Sequence, residues 1–250
     1  MRRYEITEQE WTKITPLLPG QAGSAGRKAL DNRLFINAVL WIARSGAPWR
    51  DLPERFGNWN SNYRRFRRWA QAGVWKQVFD ALQEPDLDWV MIDSTTVRAH
   101  QQAAGQKKVV SSKQALGRSR GGLTTKIHAL VDALGNPIRI ELSPGHAGDA
   151  PCAATLLADC EAFAVIADKA YDADWLLEGL AHNGCDAIIP SKVNRVEQRV
   201  IDENLYADRN KIERYFNRLK QYRRVATRYE KTASSFLAMV HLASSMILLL

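Results

Sequence analysis

Hydrophobic and polar positions change rhythm near residue 85 of this 250-residue chain. Before that point the apolar residues recur at helical spacing. "TEQE" (Thr7 to Glu10) fits a capping box, in which a threonine oxygen and a glutamate carboxylate satisfy free amides at a helix start. Trp11, Ile14 and Leu18 then share a face, and Pro19-Gly20 ends the segment. A Gly/Ser/Ala loop (20–26) leads to "DNRLFINAVLWIARSG". Here Asp31 is placed to cap, Leu34, Phe35, Ala38, Val39, Trp41 and Ile42 form an apolar stripe, and Gly46 closes the helix. The turn-rich "APWRDLPERFGNW" delivers the chain to "NSNYRRFRRWAQAG". In that last helix Tyr63, Phe66 and Trp69 point inward and leave Arg64, Arg65, Arg67 and Arg68 outward.

Beyond residue 85 short apolar runs and strict alternation take over. "WVMID" (Trp89 to Asp93) reads as a buried strand ending in an acid, and "FAVIAD" (Phe163 to Asp168) as a second. "GLTTKIHALVDA", "LGNP" and "IRIEL" make a hairpin, with Thr125, Ile127, Ala129 and Val131 on one side and Ile138, Ile140 and Leu142 alternating with Arg139 and Glu141. "APCAATLLADC" and "DADWLLEGLAHNG" read as helices, the second capped by Gly184, and "CDAIIP" as a strand. "YADRNKIERYFNRLKQ" (206–221) reads as a further helix. The order predicts an α/β domain, a mixed sheet with covering helices, over residues 86–250 after a small helical domain at 1–85. The polar stretch at about 99–122, rich in Gly, Ser, Gln, Lys and Arg, reads as a basic loop able to fold over a nucleic acid.

Charge changes this picture from a fold into a class of partner. The formal net charge is +8 and the isoelectric point about 9.5, which favours a polyanion over a small acidic metabolite. Basic residues dominate 1–85, 98–128 and 191–231, whereas acids dominate 129–190. That pattern suits a protein that grips a polyanion and does carboxylate chemistry on it; unconnected solvated faces are the plainer alternative. Helix, turn and an arginine-bearing helix are the parts of a helix-turn-helix, so Arg64, Arg65, Arg67 and Arg68 become candidate DNA contacts. Cys152, Cys160 and Cys185 lack zinc-ligand spacing and are expected as reduced thiols in a cytoplasm. No secretory leader is expected from "MRRYEITEQEW". The terminal "FLAMVHLASSMILLL" is shorter than the roughly 20 residues of a membrane span and is expected to dock on a core.

The candidate chemistry lies in three acids. Asp93 and Asp168 each end a strand, at the sheet edge where α/β sites gather, although either alone could serve as a cap. Glu213 lies in a basic helix. At about 100° per residue it shares an arc of roughly 60° with Tyr206, Arg209 and Lys220, bordering a core face of Ile212, Tyr215, Phe216 and Leu219. An ion pair with Arg209, four residues earlier, is the alternative reading. Three hard oxygen donors suit two Mg2+ or Mn2+ ions acting on a phosphodiester.

Residues 206–220 match, position for position, the Y-x2-R-x3-E-x6-K signature of DDE transposases from bacterial insertion sequences. "MIDSTTVRAH", "GRSRGGLTTKIHALVDALGNP", "VIADKAYDAD" and "NRLKQYRRVATRYEK" resemble the insertion-sequence Five family, and "GAPWRDLPERFG" resembles its N-terminal domain. "SPGHAGDA" is looser around His146 and Gly148. The resemblance implies a ribonuclease-H-like catalytic domain with Asp93, Asp168 and Glu213 as the metal-binding triad. It implies contacts from Tyr206, Arg209 and Lys220 to transposon-end DNA. The activity it implies is metal-dependent cleavage at terminal inverted repeats, followed by transfer of a 3′-hydroxyl to target DNA, by a homodimer or higher multimer on the nucleoid. A catalytically inactive regulator of transposase descent and a sequence-independent nuclease are the rival classes.

Overall fold

The computed structural model describes residues 4–21, 31–104 and 114–250, which fall into two compact units. The expected loop at 20–26 and the middle of the basic loop lie largely outside these residues.

The first unit draws on Met1–Gln83, Ala99–Lys107 and Leu219–Leu250. Its helices are α1 (Glu8–Ile14), α2 (Asn32–Ser45), α3 (Trp59–Gln71) and α4 (Val74–Ala81). The capping box at Thr7 and Glu10 forms in full, and the Asp31 side chain accepts from the Leu34 amide. Gly46 stops α2 in the left-handed conformation, at φ 74°, which glycine adopts without the Cβ clash other residues meet. The stripe of α2 is wider than its sequence suggests. Ile36, Asn37, Leu40 and Ala43 are buried as well, while Leu34 is exposed and Trp41 half-buried. Between α2 and α3 run two short 3-10 turns (Trp49–Asp51 and Glu54–Phe56), a longer connection than the few residues of a compact helix-turn-helix. The tight turn comes after α3, at Ala72-Gly73, and opens α4, which the sequence pattern did not reveal.

The second unit draws on Glu84–Arg98 and Lys108–Arg218. It contains β1 (Trp89–Ala99), β2 (Gly117–Ser119), β3 (Gly122–Val131), β4 (Pro137–Pro144), α5 (Ala150–Leu157), β5 (Ala164–Ala167), α6 (Asp174–His182) and β6 (Asp186–Ile188). The spatial order is β4-β3-β1-β5-β6, with β2 on the first residues of β3. β3 is antiparallel to β1 and β4, whereas β5 runs parallel to β1 and β6 parallel to β5. This is the expected ribonuclease-H-like mixed sheet. One face, carrying Val90, Ile92, Leu130, Val165 and Ala167, packs with Leu156 of α5 and Leu176 and Leu180 of α6.

Two expectations need correction here. β1 does not end at Asp93 but continues six residues to Ala99, because β3 pairs with it from Met91↔Val131 through Arg98↔Thr124. The basic loop is also not wholly irregular, since Gly117–Ser119 pair with β3.

The chain continues through α7 (Glu203–Ala207), α8 (Asn210–Lys220), α9 (Arg223–Ala226) and α10 (Ala233–Leu248). The boundary at 83/84 falls two residues from the expected 85/86. Residues 219–250, however, group with the helical unit, because the apolar α10 packs on α3 and α4. No described helix is long and apolar enough to cross a membrane.

Candidate active site

The parallel ladder between β1 and β5 ends at Ile92↔Ala167, so Asp93 and Asp168 are the next residue on each strand. Neighbouring strands lie about 4.8 Å apart and side chains alternate between faces. Both aspartates therefore leave the sheet on the face opposite Ile92 and Ala167. Their carboxylates feel each other. Burial pushes the Asp93 carboxyl up to about 6, opposed by the Ser94 amide and Arg209, and reinforced by the charges of Asp168 and Asp149. Asp168 also caps a 3-10 turn (Lys169–Tyr171) by accepting from the Ala170 amide.

Glu213 sits on α8 with a half-exposed side chain. Ile212, Tyr215, Phe216 and Leu219 are buried, as the wheel requires. The helix expected over 206–221 is not continuous: it breaks at Asp208 and Arg209. Asn210 donates to the Ala207 carbonyl, and Lys211 ties the break down through Asp208 and the Ala133 carbonyl. Tyr206 therefore belongs to α7 and not to the α8 stripe. Glu213 and Lys220, two turns apart on α8, still share a face, and both are exposed.

Arg209 joins the parts. Its Nη1 donates to Asp93 Oδ2 at 3.0 Å, and its Nη2 donates to Glu213 Oε1. Burial lowers the guanidinium pKa, but Asp93, Glu213, Tyr206 and Asp168 outweigh it and leave a net rise. The ion pair between Arg209 and Glu213, held as an alternative in the sequence, is present and extends to Asp93.

A layer beneath Asp93 escaped the sequence reading. Asp149, just ahead of α5, accepts from Ser94 Oγ at 2.7 Å and from Lys126 Nζ at 2.9 Å, and Lys126 also donates to the Ala147 carbonyl. His128 is buried beside it, with Nδ1 3.8 Å from Asp149 and Nε2 2.7 Å from Ser143 Oγ. Burial pulls the His128 pKa down to about 4 against the pull of Asp149, so the ring is neutral near pH 7. Tyr171 is buried nearby. Its hydroxyl pKa is raised by burial and then by Asp149, Asp93 and Asp168. Asp172 is fully buried. Burial opposes its ionisation, but bonds from Arg195, the Lys192 amide and Arg199 hold its pKa below the usual range and anchor the 190s segment. The signal for Asp149 was present in "SPGHAGDA", but an acid before a helix reads first as a cap.

Of the N-terminal arginines, Arg64, Arg67 and Arg68 are exposed on α3. Arg65 is not. Its guanidinium lies 4.2 Å from the Phe35 ring and 4.7 Å from the Trp69 ring and donates to Asn32. Burial lowers its pKa. At four residues before Trp69 it follows that ring onto the packed side, so its expected outward role is corrected. The cysteines are free thiols, as expected.

Comparison with known proteins identifies the family. A family model described as "Transposase DDE domain" matches residues 84–248, and one described as "Putative transposase of IS4/5 family" matches residues 6–79. The chain belongs to the DDE transposase family. A Brucella ovis protein named "Putative transposase for insertion sequence element IS6501" is 50% identical over 128 residues, covering 50% of this chain and 98% of that protein. A Sinorhizobium fredii protein named "Uncharacterized protein y4sN" is 46% identical over 106 residues, 41% of this chain and 83% of that one. A solved piggyBac transposase synaptic complex with hairpin DNA matches at a TM-score of 0.50 and 12% identity, over 94% of this chain and 70% of that one, a likeness of fold.

DDE transposases use divalent metal ions, and the transposase's residues fit them in donor chemistry. Asp93 and Asp168 are paired hard-oxygen donors with excess negative charge. One cationic group, Arg209, already spans Asp93 and Glu213. Among the described residues no three His, Cys, Asp or Glu side chains converge closely enough to hold a metal as they stand. Glu213 is engaged with Arg209 instead.

Proposed function

We propose that this transposase recognises the terminal inverted repeats of its own insertion sequence. It hydrolyses a phosphodiester at each end, breaking the bond to the 3′ oxygen and leaving a free 3′-hydroxyl. That hydroxyl then attacks a target phosphodiester and displaces the target's own 3′ oxygen, with no covalent protein–DNA intermediate. Asp93, Asp168 and Glu213 are the residues that would hold two Mg2+ or Mn2+ ions, which when bound supply activation of the attacking oxygen and charge neutralisation at the phosphate.

The double ion pair of Arg209 carries this reading. A DNA phosphate competes for a guanidinium as strongly as a carboxylate does, and the Arg209 side chain, 23% exposed, is able to meet one. Transfer of Arg209 from Asp93 and Glu213 to the phosphate frees both carboxylates at the moment substrate arrives. Lys220, exposed on the Glu213 face of α8, and Tyr206 hold the same strand beside the cut. Arg64, Arg67 and Arg68 grip DNA through α3. A homodimer or higher multimer on the nucleoid pairs the two ends.

The test is Asp93→Asn and Glu213→Gln in metal-dependent end cleavage. Both are expected to lower cleavage by about a thousandfold while leaving end binding in gel shift unchanged. Cleavage at the wild-type rate with binding intact overturns the assignment.

A further inference from the structure

In the first unit Arg224 and Glu230 form a buried ion pair, Nε to Oε1 at 2.7 Å, with Glu230 only 7% exposed. The other carboxylate oxygen, Oε2, has no hydrogen-bond partner among the described residues. Glu230 also lines a cavity of about 1040 Å3. A buried acceptor left unpaired is costly, so the cavity suits a ligand that brings an N–H to it.

The other walls narrow that ligand further. Trp59 and Tyr63, one turn apart on α3, are half-buried and line the cavity. Arg50 lies 5.6 Å over Trp59 and Arg67 5.8 Å over Tyr63, and Lys231 is a third exposed cation. None of these three cations pairs with a carboxylate among the described residues. Rings suit a flat heterocycle, which stacks on aromatic faces and on guanidinium planes alike. Unpaired cations suit a phosphate attached to that heterocycle.

We propose that this cavity holds one unpaired nucleotide of a DNA strand, with its base against Trp59 and Tyr63, an amino group on Glu230, and its phosphate among Arg50, Arg67 and Lys231. The inference rests on the DNA reading above and adds a site to it. The single free carboxylate oxygen also sets a preference. Guanine offers adjacent N–H groups on its pairing edge, whereas the one N–H of thymine is flanked by two carbonyl oxygens that a carboxylate repels. Guanine is therefore favoured and thymine is the poorest occupant.

The experiment uses the full chain with a blunt duplex and the same duplex bearing an unpaired overhang of guanine, thymine or fluorescent 2-aminopurine. The guanine overhang is expected to raise affinity about tenfold over the blunt duplex, the size of one base–aromatic stack. The aminopurine is expected to be quenched, and thymine to gain less than guanine. Glu230→Gln should erase the difference between guanine and thymine. Because that change breaks a buried pair, Trp59→Ala at a half-buried ring is the second variant; it should remove the overhang gain and leave blunt affinity unchanged. Equal binding of blunt and overhang duplexes overturns the proposal while the DNA reading stands, as does an undiminished gain in Trp59→Ala. Tight binding of dGMP without any overhang preference assigns the cavity to free nucleotides and overturns the strand assignment. Failure to bind any duplex overturns the DNA reading and this one with it.

Discussion

Asp93 and Asp168 occupy equivalent positions on neighbouring parallel strands, one step past the last paired residues, Ile92 and Ala167. Burial, with the neighbouring Asp168 charge adding to it, raises the cost of ionising Asp93.

That cost is measurable in the metal-free protein. The folded Asp93 carboxyl titrates at about 6, above its ordinary value near 3.8. The folded state therefore holds a proton that the unfolded chain releases. This contribution to stability is complete below pH 3.8 and is lost as pH rises through 6. Asp93→Asn, in chelator, should be more stable than wild type by about 3 kcal/mol at pH 7.5, with the gap closing at pH 4. Urea unfolding at the two pH values checks it. No gain at pH 7.5 would mean that Arg209 already offsets the charge.

Removing Arg209 tests the same site from the cation's side. It pairs with both Asp93 and Glu213, so a divalent ion arriving at those carboxylates has to displace it. Arg209→Gln should lower the metal-free melting temperature and enlarge the rise produced by Mg2+. Apparent Mg2+ affinity from that titration should tighten by roughly threefold to tenfold, the worth of one partly buried ion pair. A weaker Mg2+ response in the variant would show that Arg209 supports ion binding instead.

Much of this site was legible in the sequence, for definite physical reasons. Asp168 follows a four-residue apolar strand buried throughout, and Glu213 borders a helix face whose four apolar members are all buried. Such patterns report burial directly. What stayed hidden depends on contacts between distant segments. The run past Asp93 is polar, and pairing with β3 makes it a strand. Asp149 was not singled out, because what marks it is its contact with Lys126 and Ser94, 23 and 55 residues away. Arg65 looked like its three neighbours because a helical wheel does not show that Phe35 of α2 lies beside it. The break at Asp208 and Arg209 has no glycine or proline to announce it; it is held by Lys211 reaching the Ala133 carbonyl, 78 residues away.

The Lys126–Asp149 pair gives a third prediction. Its side chains are only 16% and 20% exposed, so removing one partner strands the other in poor solvent. Lys126→Met should cost about 3 kcal/mol in chemical denaturation, more than an exposed pair contributes. Asp149→Asn keeps an acceptor for Ser94 and should cost less. It should also lower the Asp93 pKa by removing one of the charges that raise it, a shift that carbon-13 titration of the carboxyl would detect. Equal losses in the two variants would assign the effect to packing and not to charge.

His241 supplies the acid limit of the first unit. It is 4% exposed and stacked on Phe79 at 5.2 Å between ring centroids. Burial, followed by the Lys76 charge, pulls its pKa from 6.5 down to about 3. Between those values the unfolded chain takes up a proton that the folded chain refuses. The neutral ring's contribution is therefore complete above pH 6.5 and is lost as pH falls toward 3. At pH 5 the loss is about 2 kcal/mol, since each pH unit below the unfolded pKa counts for about 1.4 kcal/mol. His241→Leu has no proton to take up. Its stability relative to wild type should rise by that amount between pH 7 and pH 5, whatever its packing costs at pH 7. Unfolding curves for both proteins across this range isolate the term, because every other titrating group is common to the two. Parallel curves would mean that His241 is protonated in the folded state and that a carboxylate or solvent reaches it.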